Sequence, residues 1–144
     1  MKDFDQSALF MDVGTGKSIT SLALYEQKVI QKKCNKLLII CLCAKLNEWK
    51  VDCEKWFPFS KTIILDGKKK SKQDFMIGNY DIAIINFEKT WRNNDLMMIN
   101  NKHYIIIDES HKIKESTTKV GHFMSLLGQL TPYKCILTAT PMGN

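Results

Sequence analysis

Six short runs rich in Ile and Leu alternate along this 144-residue chain with segments whose apolar residues recur every three or four positions. Strands covered on both faces by crossover helices read as nearly continuous apolar runs, whereas strands with one wet face alternate apolar and polar residues. Ala8 to Met11, Leu37 to Leu42, Thr62 to Leu65, Ile82 to Ile85, Tyr104 to Ile107 and Cys135 to Thr138 read as strands of the first kind. The pattern predicts an α/β fold of three layers, a mainly parallel sheet with helices on both faces. No repeat, low-complexity tract or Pro/Gly-rich linker divides residues 1–144, so a single domain is expected.

The helical spacing places Ile19, Leu22, Ala23 and Ile30 on one side of a helix that follows Lys17, with Lys32 and Lys33 closing its last turn. From Leu46, the residues Trp49, Cys53, Trp56 and Phe57 step by three and four until Pro58 stops the helix. This spacing accounts for both tryptophans as core anchors rather than base-stacking platforms. A third such stretch starts at Val120, with Phe123, Met124, Leu127 and Leu130.

No apolar stretch approaches the length of a membrane span, and Met1-Lys2-Asp3-Phe4-Asp5 lacks the apolar region of a secretory signal. A soluble chain of the cytoplasm, or of a host's cytoplasm if viral, is expected. The five cysteines, Cys34, Cys41, Cys43, Cys53 and Cys135, show no paired C-x-x-C spacing. They are read as reduced thiols, with Cys41 and Cys135 serving as small hydrophobes in strands. A formal charge of +6 and a pI near 9.0 favour a polyanionic partner, although charge speaks to association and not to fold.

Val13-Gly14-Thr15-Gly16-Lys17-Ser18 stands between an apolar strand and an amphipathic helix. In that context Gly14 and Gly16 allow close approach of backbone N–H groups, Thr15 among them, to phosphate oxygens at a helix N-terminus. Lys17 would add a charge near the β- and γ-phosphates, and Ser18 a hydroxyl for magnesium. The full Walker pattern has a further Gly five positions before Gly16, where this chain has Met11. Taken alone, a Gly-rich turn before a helix with an exposed Lys accounts for the fragment equally well.

Ile105-Ile106-Ile107-Asp108-Glu109-Ser110-His111 is a buried-type strand ending in two acids, at the end of a parallel strand where α/β sheets bind ligands. Asp108 would hold Mg2+ through its water shell, and Glu109 would orient and deprotonate the attacking water. Alone, such a pair could simply cap the following helix. With the glycine-rich segment upstream, the phosphate reading of both is preferred.

The segments MDVGTGKS, IIIDESHKIK and LTATPMGN resemble motifs I, II and III of superfamily-two helicases. LLIICLCAKLNEWKVDCEKWFP and YDIAIINFEK are similar to motifs Ia and Ib of the Swi/Snf-like ATPases. Asp-Glu-Ser-His is also closer to these than to the Asp-Glu-Ala-Asp of DEAD-box RNA helicases. The resemblance implies the first RecA-like lobe of a P-loop NTPase, with ATP and Mg2+ as ligands and double-stranded DNA as the partner along which it moves. It further implies that Thr138 and Thr140, with His111 beside them, link the ATP site to a second lobe. Family members usually carry Pro where Leu42 stands, and often Gly and Gln where Ala139 and Gly143 stand. A repair- or restriction-type DNA helicase, or a regulatory module that binds nucleotide or DNA without efficient catalysis, are the alternatives.

In this family motifs IV to VI and the arginine finger lie on the second RecA-like lobe, and the sequence reaches Asn144 just after motif III. The expectation is that this lobe is supplied elsewhere, in cis or in trans, and that ATP turnover is slow without it, since such an arginine contributes ~10³–10⁵ in rate. The only arginine, Arg92, is not expected to act as that finger. No adenine-contacting glutamine motif is expected upstream of the first strand. Lys68, Lys69, Lys70 and Lys72 are read as a solvated basic loop, with contact to a phosphate backbone as the alternative. Lys112, Lys114 and Lys119 follow motif II and would lie nearer the working face.

Overall fold

The computed structural model describes residues 6–10, 17–65, 68–86, 99–109 and 129–138. Along the chain run β1 (Gln6–Phe10), α1 (Lys17–Ile30), β2 (Lys36–Cys41), a short 3-10 turn (Cys43–Lys45), α2 (Leu46–Trp56), β3 (Thr62–Ile64), α3 (Lys69–Ile77), β4 (Ile82–Asn86), β5 (His103–Glu109) and β6 (Lys134–Thr138). Each apolar run of the sequence is a strand, displaced by a residue or two at its ends. The strands form one sheet in the order β1-β6-β5-β2-β4-β3, and every neighbouring pair is parallel.

Side chains alternate across a strand, so each strand feeds two cores. Leu37, Ile39 and Cys41 of β2 pack with Leu22 and Tyr25 of α1 and Trp49 and Cys53 of α2. Leu38 and Ile40 pack on the other face with Phe75 of α3, Ile99 and, partly buried, Leu130. The expected three layers are thus present, with helices on both faces. Parallel crossovers are right-handed in almost all proteins, so reversing the direction of travel along the sheet moves the connection to the opposite face. The chain travels one way from β1 to β2 to β3, which puts α1 and α2 together. It returns from β3 through β4 and β5 to β6, which puts α3, Ile99 and Leu130 on the other side.

Four expectations about helices are corrected. On α1 the buried residues are Ser21, Leu22, Tyr25 and Lys28, whereas Ile19 and Ile30 are 50% and 73% exposed and Ala23 is exposed too. Only Leu22 belongs to both sets. The buried stripe carries polar letters that hydropathy counts against burial: Lys28 lays its aliphatic stem inward, with its ammonium 5.8 Å from the Tyr133 ring centroid. Lys32 and Lys33 lie beyond the helix, in its C-cap. The Lys32 N–H donates to Val29 O and that of Lys33 to Lys28 O, both at 2.9 Å, with Lys32 at φ 63° in the left-handed region usually given to glycine.

On α2, Trp49 and Cys53 are buried as expected, but Trp56 is 40% exposed. It is the helix's last residue, and Phe57 just beyond takes the packing place instead, edge-on to Tyr25 at 5.7 Å between ring centroids. The basic segment expected as a loop is largely helical, since Lys69, Lys70 and Lys72 lie in α3. Gly78, at φ 75°, ends that helix, its N–H bonding to Phe75 O and that of Asn79 to Asp74 O. The third helical stretch of the sequence lies outside the described residues except for Leu130.

Candidate functional site

β1 lies at the sheet's edge beside β6, and β6 lies beside β5. Their last residues fall in one row, Phe10 opposite Thr138 and Thr138 opposite Glu109, with Leu9, Leu137 and Asp108 in the row before. Neighbouring strands are about 4.8 Å apart, so the ends of β1 and β5 are roughly 10 Å apart, close enough for one ligand to touch both. β1 stops at Phe10 and α1 starts at Lys17, which places residues 11–16 of the sequence between a strand's carboxyl end and a helix N-terminus. That is the surrounding an anion-binding backbone loop requires. Three segments up to 128 residues apart in sequence, from Phe10 to Thr138, therefore end at one rim of the sheet.

Of the residues singled out in the sequence, Lys17 and Ser18 open α1, Asp108 and Glu109 end β5, and Thr138 ends β6. Gly14, Thr15, Gly16, His111 and Thr140 lie outside the described residues, as do Arg92, Lys112, Lys114 and Lys119. The backbone thus brings Asp108 and Glu109 at the end of β5 and Thr138 at the end of β6 to the rim where β1 ends.

Asp108 is half-buried, and its Oδ2 accepts a hydrogen bond from the indole Nε1–H of Trp49 at 3.0 Å. This contact joins residues 59 apart in sequence and could not be read from the spacing of either segment. It arises because β2 pairs with β5, Ile40 opposite Ile107, so the turn and α2 that follow β2 begin beside the end of β5. Cys41, at the end of β2, has its thiol pKa pushed up to about 12, first by burial and then by the charge on Asp108. A thiol held protonated in this way is a poor nucleophile at neutral pH. Burial likewise pushes Cys53 and Cys135 up to about 12. None of the five cysteines is in a disulfide, and Cys43 is the exposed one.

Near the amino ends of β2 and β5 a different polar network holds the scaffold. Lys36 Nζ donates to Tyr80 O at 2.6 Å and Gly78 O at 3.1 Å, and sits 4.5 Å from the Tyr80 ring centroid. His103 is buried. Its Nδ1 lies 3.2 Å from the Asn100 backbone N and 3.4 Å from Asn100 Oδ1, and its Nε2 lies 2.8 Å from Tyr80 Oη. Burial, reinforced by the Lys36 charge, lowers the imidazole to about 4, against the weaker upward pull of Asn100. This imidazole is a structural one, away from the strand ends that carry the acids.

Among the described residues no helix is long and apolar enough to cross a membrane. Residues 3–144 match the family described as the SNF2-related domain. The chain is 28% identical over 141 residues to nuclear protein STH1/NPS1 of Saccharomyces cerevisiae, covering 92% of this chain and 10% of that protein. To the SWI/SNF chromatin-remodeling complex subunit snf22 of Schizosaccharomyces pombe it is 30% identical over 139 residues, covering 92% of this chain and 8% of that one. The solved Sulfolobus solfataricus SWI2/SNF2 ATPase core in complex with dsDNA superposes with a TM-score of 0.81 and 25% identity, over 96% of this chain and 28% of that one.

Proposed function

The chain belongs to the SNF2-related domain family, and from that membership we propose that it is the nucleotide-binding lobe of a double-stranded-DNA-dependent ATPase of the translocase type. The observation that carries this reading is the alignment of β1, β6 and β5, whose carboxyl ends bring the three motif strands to one rim. In the proposal, backbone N–H groups of Gly14, Thr15 and Gly16 and the N-terminus of α1 cradle the phosphates of ATP. Lys17 neutralises charge between the β- and γ-phosphates.

The donors suit magnesium, a hard cation that takes oxygen ligands and keeps several waters. Asp108 offers a half-buried carboxylate at a strand end, hydrogen-bonded to Trp49, and Ser18 would offer its hydroxyl. When bound, the ion would screen the phosphate charges and hold the polyphosphate in register with the protein. Glu109, the next residue along β5, would hold the attacking water and take its proton. His111, Thr138 and Thr140 would carry the state of the nucleotide to the rest of the motor.

The matched region is about a tenth or less of the curated relatives and 28% of the Sulfolobus core, so the remaining work of such a motor is assigned to a second RecA-like lobe, in cis or in trans. That lobe would supply positive charge on the γ-phosphate from the side opposite the phosphate loop. The same reading takes the site of action to be the cytoplasm, or a host's cytoplasm, where cysteines outside disulfides are the rule. The test is ATP hydrolysis with and without double-stranded DNA, by the chain joined to or mixed with a lobe bearing motifs IV to VI. Stimulation by duplex DNA is the expected result. A rate indifferent to duplex DNA in that assembly would count against the DNA part of the proposal.

A further inference from the structure

A buried tryptophan needs a partner for its indole N–H, and a backbone carbonyl commonly serves. In this protein the partner is a side chain 59 residues away, and it is the carboxylate to which the metal role has been given: Trp49 Nε1–H donates to Asp108 Oδ2 at 3.0 Å. Trp49 is only 3% exposed and packs in the same core as Tyr25, Cys53, Ile39, Cys41 and Ile106, so the ring cannot swing without disturbing that core. Asp108 sits one residue from the end of its strand and is half-buried, so its carboxylate can be held from the core side and still meet a ligand at the rim. An oxygen that accepts from one donor retains a second lone pair, so the bond orients the group without using up its capacity for a ligand.

We propose that Trp49 is a positioning residue: through its indole N–H it sets the orientation of the Asp108 carboxylate toward magnesium, and so links α2 to the metal side of the nucleotide site. This rests on the reading of Asp108 given above. Outer partners of metal ligands are worth about 10–100-fold in metal affinity when removed. Because α2 follows β2 through the Cys43–Lys45 turn, anything that shifts this segment would also turn the acid, with no contact to nucleotide of its own.

The experiment titrates Mg2+ against binding of a fluorescent ATP analogue to wild type, Trp49→Phe and Asp108→Asn. Trp49→Phe keeps the ring packing and loses the N–H. It is expected to melt cooperatively and to bind the analogue without Mg2+ as wild type does, yet to need about tenfold more Mg2+ for half-maximal enhancement of binding. A merely structural role would lower the melting temperature and leave the Mg2+ midpoint unchanged, which would overturn the proposal provided that Asp108→Asn shifts that midpoint. If Asp108→Asn also leaves it unchanged, the reading of Asp108 fails, and this inference with it. Should Trp49→Phe not fold, the indole N–H proton resonance of Trp49 in the wild type, assigned with Trp56→Phe and Trp91→Phe, decides. It should move on adding Mg2+ with the analogue more than with the analogue alone, and an equal response to both would overturn the proposal.

Discussion

Replacing Glu109 by Gln is expected to lower single-turnover ATP hydrolysis by about 10²–10⁴-fold while leaving magnesium-ATP binding close to wild type. The amide keeps the size and hydrogen-bonding reach of the acid but cannot accept the proton of the attacking water. Asp108 is its neighbour on β5. In the proposed reading the two acids have separable duties: loss of Asp108 should weaken the magnesium dependence of binding, whereas loss of Glu109 should spare it. The measurement is hydrolysis and nucleotide affinity side by side, in the assembly that includes a second lobe. Hydrolysis by Glu109→Gln at the wild-type rate would remove Glu109 as the base.

The second large effect lies in stability. His103 is neutral in the fold, and its pKa falls from the ordinary 6.5 to about 4, chiefly through burial. The unfolded chain takes up a proton near pH 6.5 and the folded one only near pH 4, so the stabilisation is complete above pH 6.5 and is lost as pH falls through that window. Each pH unit between the two values is worth about 1.4 kcal/mol, so the loss amounts to roughly 3 kcal/mol by pH 4. Urea unfolding at a series of pH values should show this slope. In His103→Gln, which removes the titrating ring, the slope between pH 6.5 and 4 should flatten by roughly that amount, whatever the variant's stability at neutral pH. An unchanged slope would mean that His103 does not titrate differently in the two states.

The central strands were legible because two buried faces demand runs such as Leu37 to Cys41 that are apolar throughout. The helices were less legible where burial and hydropathy part company. Lys28 and Ser21 are buried on α1 while Ile30 is open to solvent, because a long side chain can bury its stem and a small residue lets a helix approach the sheet. α3 was hidden for a related reason. Its one buried apolar residue is Phe75, its partner on that face is Asp74, and four lysines around its start look like a solvated loop. Asp74 is instead held by Lys61 Nζ and Asn79 Nδ2, each at 3.3 Å, contacts that a reading of spacing has no means to see.

For the site, the sequence carried the motif residues but not their meeting place. That β1 sits beside β6 and two strands from β5 is a matter of strand order, set by crossover handedness and packing over the whole sheet rather than by any local pattern. The link from Trp49 to Asp108 was invisible for the same reason. Spacing marked Trp49 as a core residue, which it is, and only the pairing of β2 with β5 turns its N–H toward the acid.

The most direct measurement is the melting temperature of this chain with and without magnesium-ATP, for the wild type and for Lys17→Ala. If Gly14, Gly16, Lys17 and Ser18 form a phosphate site, ATP at a hundred times its dissociation constant should stabilise the wild type by about 2.7 kcal/mol. In a chain of this size that is a rise on the order of 10 °C. Lys17→Ala, which removes the charge facing the phosphates, should show little of that rise at the same ATP concentration. Equal rises in the two proteins, or none in the wild type at saturating magnesium-ATP, would contradict the assignment of this chain as a nucleotide-binding lobe.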